Sequence, residues 1–466
     1  MGRTWCWPPE HSKIAVAARP LPMGGMFYQR AALFCRPVIW QNEKIIDLYS
    51  GCGGLSLGLM NSGWTGLFAI EKDKFAFETL RHNLVDGRKG LTHKWPIWLP
   101  KEHIDIKRFI KLHRAQISQL RGTVDLIVGG PPCQGFSLVG VREKNDPRNK
   151  LFRHYLEIVT LVRPKFLLLE NVKGISIEFG KTKRDKKKKK NKGRPNKAFS
   201  EHIREKLEGI GYSVYPDLVK AVDFGVPQYR PRYLMIGVDR QAIGDAKLPD
   251  PFPLLREMRK EFLLSKGLSP YKMVTVKQAI SDLETSGKKL IDCVDSKRFK
   301  QIRYGSPQTT FQKLMHGTMN GTAPNSLRLA RHEERTVKKF KLIQKTCRHG
   351  VQLSNEDRKR LGLNKHCLVP LNKDAPSHTL TTLPDDLLHY SEPRIMTVRE
   401  YARLQSFPDW FEFRGKYTTG GKNRKKECPR YTQVGNAVPP LLAEAIGLVL
   451  MELLRKTEHA QRVSKK

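Results

Sequence analysis

IIDLYSGCGGLSLGL, Ile45 to Leu59, reads as a strand, a tight turn and a helix in direct succession. The apolar strand ends on Asp47, and Gly51, Gly53 and Gly54 follow before a helix from about Leu55. Glycine accepts positive φ and lets a backbone come close to a ligand. Free N–H groups at the start of a helix suit a carboxylate or phosphate. Working outward, the same alternation repeats. GLFAIE precedes a helix from about Lys74, and VDLIVGG precedes a helix over LFRHYLEIVTLV. KFLLLEN precedes a helix near 200–209, and SVYPDLV and RYLMIGV follow. Strands alternating with helices predict an α/β fold, a doubly wound, mostly parallel, Rossmann-like sheet with helices on both faces.

The pattern dissolves after about residue 240. Residues 241–376 carry 27 Lys+Arg against 13 Asp+Glu with few helical periods, so a second, smaller, basic domain is expected over 241–432. The first domain is expected over 43–240 together with 433–458. Residues 1–42 read as a poorly ordered extension and 459–466 as a basic tail. KTKRDKKKKKNKGRPNKA, 181–198, has 11 basic residues and one acid, a density that favours a solvated, disordered insert.

Across all 466 residues, 85 Lys+Arg stand against 45 Asp+Glu, a formal net charge of +40. Such a balance points to a polyanion, nucleic acid first, and away from an acidic small-molecule enzyme. The eight cysteines are scattered without a CxxC pair, so neither a disulfide framework nor a metal site is expected. LLAEAIGLVLMELL, 441–454, is the most apolar stretch. Glu444 and Glu452 interrupt it, so it reads as a buried helix packed on the first domain rather than a membrane span. No signal peptide is legible. A soluble protein of a reducing compartment is expected, in which a conspicuous cysteine should be read for reactivity.

Such a cysteine ends the strand of VDLIVGGPPCQGFS. Ligands bind at strand ends in open α/β sheets, and two prolines stiffen the turn that presents Cys133. As thiolate, Cys133 would attack an electron-poor carbon. In FLLLENV, Glu170 also ends a buried strand. A carboxyl in an apolar mouth holds its proton to higher pH and delivers it near neutrality. In VPQYRPRYLMIG, Arg230 and Arg232 are two apart, so an extended segment puts both on one face. Glu71 ends the second strand, the position that holds a ribose diol in this architecture.

Taken in order, these blocks resemble the DNA cytosine-5 methyltransferases, of the bacterial restriction–modification type. DLYSGCGG is similar to the family's cofactor loop, with Tyr49 where Phe is usual. GPPCQGFS resembles its nucleophile loop, ENV its acidic motif and QYRPR its paired-arginine motif. ARLQSFPD (402–409) and QVGNAVPP (433–440) resemble its two C-terminal motifs, and DPRNKL (146–151) a shorter one. The lysine-rich insert after ENV and the basic stretch KYTTGGKNRKKECPR are longer than the family's usual connections.

The resemblance implies an enzyme that transfers methyl groups from S-adenosylmethionine to C5 of a flipped cytosine in a specific duplex sequence. Cys133 would be the nucleophile, Glu170 would meet the N3 edge of the base, and Arg230 and Arg232 would hold its oxygen and the active-site loop. Gln134 and Ser137 would belong to that loop. The cofactor would lie along Asp47, Tyr49, Ser50, Gly51, Gly53, Gly54, Leu55, Glu71, Asp105, Ile106, Pro132, Leu151, Asn436, Ala437 and Val438. The basic middle domain would read sequence in the major groove. The resemblance further implies a cytoplasmic, nucleoid-associated monomer with duplex DNA as partner and no membrane, either the modification half of a restriction system with a cognate endonuclease acting separately or a solitary methyltransferase. A tRNA cytosine-5 methyltransferase is the nearest alternative, against which the large basic insert between Arg232 and Ala402 counts. A non-catalytic DNA-binding regulator is a second, against which intact Cys133, Glu170, Arg230 and Arg232 count.

Overall fold

A computed structural model describes residues 43–132, 151–178, 197–244, 248–317, 319, 321–365, 367–419 and 426–464. Six strands form one sheet: β1 (Lys44–Leu48), β2 (Thr65–Ile70), β3 (Leu126–Gly129), β4 (Phe166–Asn171), β5 (Tyr212–Lys220) and β6 (Pro231–Asp239), in the order β2-β1-β3-β4-β6-β5. β1 pairs in parallel with both β2 and β3, and β3 with β4. β6 is antiparallel to both β4 and β5, so the expectation of mostly parallel strands holds with one reversed strand. The reversal has a local cause. Only one short 3₁₀ turn (Ala221–Phe224) and a loop connect β5 to β6, and a parallel return would need a crossover of a dozen or more residues.

The strands are apolar because both faces are covered. Ile45, Ile46, Leu48, Leu126, Ile127, Val128, Phe166, Leu167 and Leu168 are fully buried. Each such side chain contributes about 1.5–3 kcal/mol relative to exposure. Helices α1 (Gly54–Asn61), α2 (Lys74–Leu80), α3 (Ile106–Gln119), α4 (Leu151–Val162) and α5 (Phe199–Gly209) fall in the intervals between β1 and β5. α4 buries Phe152, Tyr155, Ile158, Val159 and Val162 at helical spacing. α3 was not legible in the sequence. It buries only Ile106, Phe109, Ile110 and Ile117, and its other positions are mostly polar or charged.

Between β6 and the last two helices most elements are short. They include α6 (Pro251–Glu257), α7 (Val276–Ile280), α8 (Thr310–His316), α9 (Glu334–Thr346) and α10 (Val398–Leu404). Two small ladders join them, β7 (Ile291–Asp292) with β8 (Lys300–Gln301), and β9 (Val369–Pro370) with β10 (Leu387–Leu388). Small separate cores hold this region, one built on Ile343, Leu353, Leu361 and Leu388, another on Leu283, Ile302 and Leu327. α11 (Arg430–Asn436) and α12 (Pro440–Ser464) close the chain. The α11–α12 stretch is long and apolar enough for a membrane span, but most of that apolar window is buried inside the protein. α12 packs along α1, and the Trp64 indole N–H donates to Gly447 O at 3.0 Å.

The chain turns from one side of β1 to the other between β2 and β3. The carboxyl ends of β1 and β3 therefore flank the switch point where doubly wound sheets bind ligands.

Candidate active site

Four features meet at this carboxyl edge. The first is the turn after β1. Tyr49 holds positive φ (61°), and its hydroxyl donates to Leu151 O at 2.7 Å, which ties the turn to the start of α4. Glu71 lies just past β2. Its carboxylate accepts from Gly51 N at 2.9 Å and Asp73 N at 2.8 Å, and burial raises its pKa. Asp47 is buried and accepts from the Ser56 hydroxyl at 2.6 Å through Oδ2, while Oδ1 has no partner among the described residues. Burial pushes the Asp47 carboxyl up to about 7.

The second feature is the segment after α11. Any Cβ at Gly54 would lie 2.5 Å from Val438 O, so only glycine allows the cofactor-like turn and the QVGNAVPP segment to touch. Cys52 reaches Gln433 O at 3.6 Å through its thiol, and burial pushes that thiol up to about 12. Cys52 is therefore an inert packing residue.

The third feature is the end of β4. Arg232 Nε lies 2.6 Å from Glu170 Oε1, and both side chains are nearly buried. The surroundings of Glu170 thus include a guanidinium and are not the apolar mouth expected from FLLLENV. The turn after β3 presses against the same carboxylate. A Cβ at Gly130 would sit 3.0 Å from Glu170 Oε2. The Asn171 amide donates to Pro131 O at 3.2 Å. Glu170 and Asn171 therefore shape the backbone that leads to Cys133.

The fourth feature is the extended segment before β6. Gln228, Arg230 and Arg232 are buried while Tyr229 between them is exposed, the period-two pattern that two-residue spacing predicts. The two arginines do different work. Arg230 Nη2 donates to Gly435 O at 2.7 Å and Ala437 O at 2.9 Å, and Nη1 reaches Leu380 O at 3.3 Å. Burial, and then the neighbouring Arg232 charge, lower its pKa. Arg232 faces Glu170.

Residues 43–452 match the family described as C-5 cytosine-specific DNA methylase. The chain belongs to that family. The methyltransferase is 30% identical over 413 residues to Type II methyltransferase M.DdeI of Desulfomicrobium norvegicum, covering 86% of this chain and 87% of that one. It is 29% identical over 437 residues to Type II methyltransferase M.XorII of Xanthomonas oryzae pv. oryzae, covering 88% and 85%. Among solved structures, one described as a DNA modification methyltransferase encoded within an E. coli prophage superposes with a TM-score of 0.58 at 25% identity. That match covers 88% of this chain and 99% of the other. The protein is a DNA cytosine-5 methyltransferase.

Within the methyltransferase, the structure gathers most of the residues singled out in the sequence. Asp47, Tyr49, Ser50, Gly51, Gly53, Gly54, Leu55, Glu71 and Leu151 surround the β1 and β2 ends, and Ala437 and Val438 close on them. Ile104 N donates to Glu71 O at 2.8 Å, which brings the HIDIKRF segment alongside. There Asp105 is exposed and caps α3, while Ile106 is buried in the core. Asn436 is exposed at the end of α11. Pro132 is half-buried after β3. Cys133, Gln134 and Ser137 lie outside the described residues, as do the 146–150 part of DPRNKL and nearly all of the 181–198 insert.

Two amides were missed. Gln405 donates to Val434 O at 2.8 Å and Ala437 O at 3.0 Å, and Gln228 donates to Leu404 O at 3.2 Å and to the Gln405 amide oxygen. With Arg230 they fix the carbonyls of the QVGNAVPP segment. Their signal was a glutamine inside an otherwise recognised block, QYRPR or ARLQSFPD. Among the described residues no His, Cys, Asp or Glu group is arranged to hold a metal.

Proposed function

We propose that the methyltransferase uses S-adenosylmethionine to methylate C5 of a cytosine flipped out of a specific duplex sequence, through a covalent bond between Cys133 and C6. The observation that carries the reading is the Glu170–Arg232 pair pressed against the Gly130–Pro131 turn that leads into Cys133. It shares a sheet edge with the Glu71 turn.

The donor set at that turn fits the cofactor. Glu71 supplies a carboxylate for a ribose diol, and the buried Asp47 Oδ1, without a partner among the described residues, is a spare acceptor in the same wall. Gly54 and Val438 bring backbone together where a bulkier chain would fill the space. When bound, S-adenosylmethionine supplies an electrophilic methyl group. The protein's own part is to make C5 nucleophilic. The Cys133 thiolate adds to C6, its electron pair forming the S–C6 bond while the C5–C6 π pair moves to C5, with Glu170 at the N3 edge and Arg232 holding Glu170 and the base oxygen. After methylation, loss of the C5 proton expels the thiolate and restores the ring. Extruding the base costs a few kcal/mol, which contacts between basic side chains and phosphates offset.

The 241–432 region is the target-recognition part of this reading and 43–240 with 433–458 the catalytic part. The enzyme acts as a cytoplasmic monomer and modification partner of a separately acting restriction endonuclease; the Type II methyltransferase names of its relatives support the restriction–modification setting alone. The test is transfer of labelled methyl groups to duplex DNA, with the modified positions mapped by sequencing. Label at C5 of one cytosine in one sequence context supports the reading. Label on an exocyclic amino group, or on tRNA in preference to duplex DNA, overturns it.

A further inference from the structure

The β7–β8 hairpin carries an arrangement that the chemistry above does not use. Arg331, Phe299, Arg328, Tyr417 and Arg430 alternate as cation and ring. Arg328 stacks 4.2 Å from the Phe299 centroid and 3.8 Å from that of Tyr417. Arg331 lies 5.3 Å from the Phe299 ring and Arg430 4.2 Å from the Tyr417 ring. Each contact is an attraction between a guanidinium and the face of a ring. Their joint effect is to brace the connection between β7 and β8. Asp295 in that connection pairs with Arg430 and accepts from the Tyr417 hydroxyl at 2.8 Å. Ser296 accepts from Arg328 at 3.1 Å, and Cys293 N donates to Phe299 O at 2.9 Å.

What this bracing presents is Lys297 and Arg298. Both are exposed, and neither has a carboxylate partner among the described residues, whereas Lys300 behind them pairs with Asp292 at 2.7 Å. Arg298 sits at φ 67°, a left-handed conformation that residues other than glycine rarely adopt. The fold thus holds a strained backbone rigidly in order to project two free cations. Arg430 also opens α11, whose far end leads into the Ala437–Val438 contact with Gly54.

We propose that this hairpin is a phosphate contact for duplex DNA, with Lys297 and Arg298 each neutralising one backbone phosphate. The proposal rests on the DNA substrate assigned above. It favours phosphate over base edges because nothing fixes the two side chains in the plane that base readout requires.

The test compares wild type with Lys297→Ala/Arg298→Asn, asparagine being tolerant of the left-handed backbone. Fluorescence anisotropy follows binding of a random-sequence duplex between 50 and 200 mM NaCl. Each lost phosphate contact lowers the slope of log affinity against log salt by about 0.9. The double variant is therefore expected to lose about 1.8 from the slope, and to weaken by the same factor on every sequence. Arg298→Lys with Lys297 intact is expected to keep the full slope. An unchanged thermal midpoint and unchanged S-adenosylmethionine affinity show that the loss is not one of folding. A wild-type slope in the double variant, or weakening confined to one sequence, overturns the hairpin proposal alone. Wild-type binding that ignores salt overturns the DNA reading and this proposal together.

Discussion

Arg232 Nε stands 2.6 Å from Glu170 Oε1, two side chains brought together by the pairing of β4 with the reversed strand β6. In that ladder Glu170 lies opposite Leu234 and Asn171 opposite Tyr233, so Arg232 comes one residue past the end of β4. Removing the guanidinium leaves a nearly buried carboxylate without its counter-charge. Arg232→Ala is expected to lower kcat by roughly 10²–10³, the range for losing one charged donor at a reacting group. Lysine cannot reproduce the fork, so Arg232→Lys should recover only part of that loss. Single-turnover methylation at saturating DNA separates this effect from binding.

Arg230 should fail differently. Its donors bind Gly435 O, Ala437 O and Leu380 O, so its removal takes this donor from the buried Gly435 and Leu380 carbonyls, while Ala437 O keeps Gln405. Arg230→Ala is expected to destabilise the fold by about 2–4 kcal/mol and to weaken S-adenosylmethionine binding. Urea unfolding and calorimetric titration check the two effects. A variant of wild-type stability with normal cofactor affinity and lost turnover would place Arg230 on the base instead.

Gly54→Ala should act through sterics alone. The new Cβ meets a backbone oxygen at 2.5 Å, which no rotamer change relieves. At least tenfold weaker cofactor binding is expected, with overpacking strain of about 1–3 kcal/mol. Thermal unfolding with and without S-adenosylmethionine reads both quantities.

Asp47 gives stability a particular pH dependence. Its carboxyl titrates near 7 in the folded protein against an ordinary value of 3.8. The native state therefore holds this proton more tightly than the unfolded chain does. Stability from this group falls as pH rises from about 4 to 7, by about 4 kcal/mol in all. Asp47→Asn keeps an acceptor for Ser56 and removes the ionisation. The difference between wild-type and variant unfolding free energies should change across pH 4–7 and level off above it. A pH-independent difference would contradict the burial of an ionisable Asp47.

Much of this was legible in the sequence because it rests on local chemistry. IIDLYSGCGG announces strand, turn and helix through apolar run and glycine spacing, and the acids at strand ends announce the working edge. What was not legible depends on partners far away in the chain. Nothing in QYRPR says that Arg230 turns to carbonyls some 205 residues on while Arg232 turns to Glu170. The reversal of β6 is likewise a matter of connection geometry, since RYLMIGV is as apolar as a parallel strand. Tyr49 illustrates both sides. The motif marks it as part of the turn, but its hydroxyl bond to Leu151 appears only once α4 has packed.

The most direct test of the covalent mechanism uses duplex DNA carrying 5-fluorocytosine at the target position. Addition at C6 and methylation at C5 can proceed there, but the fluorine cannot leave as a proton does, so the enzyme should stay attached. Peptide mass mapping after denaturation is expected to find the nucleotide adduct on Cys133, and Cys133→Ala is expected to give none. An adduct on another residue, or full methyl transfer by Cys133→Ala, would contradict the account.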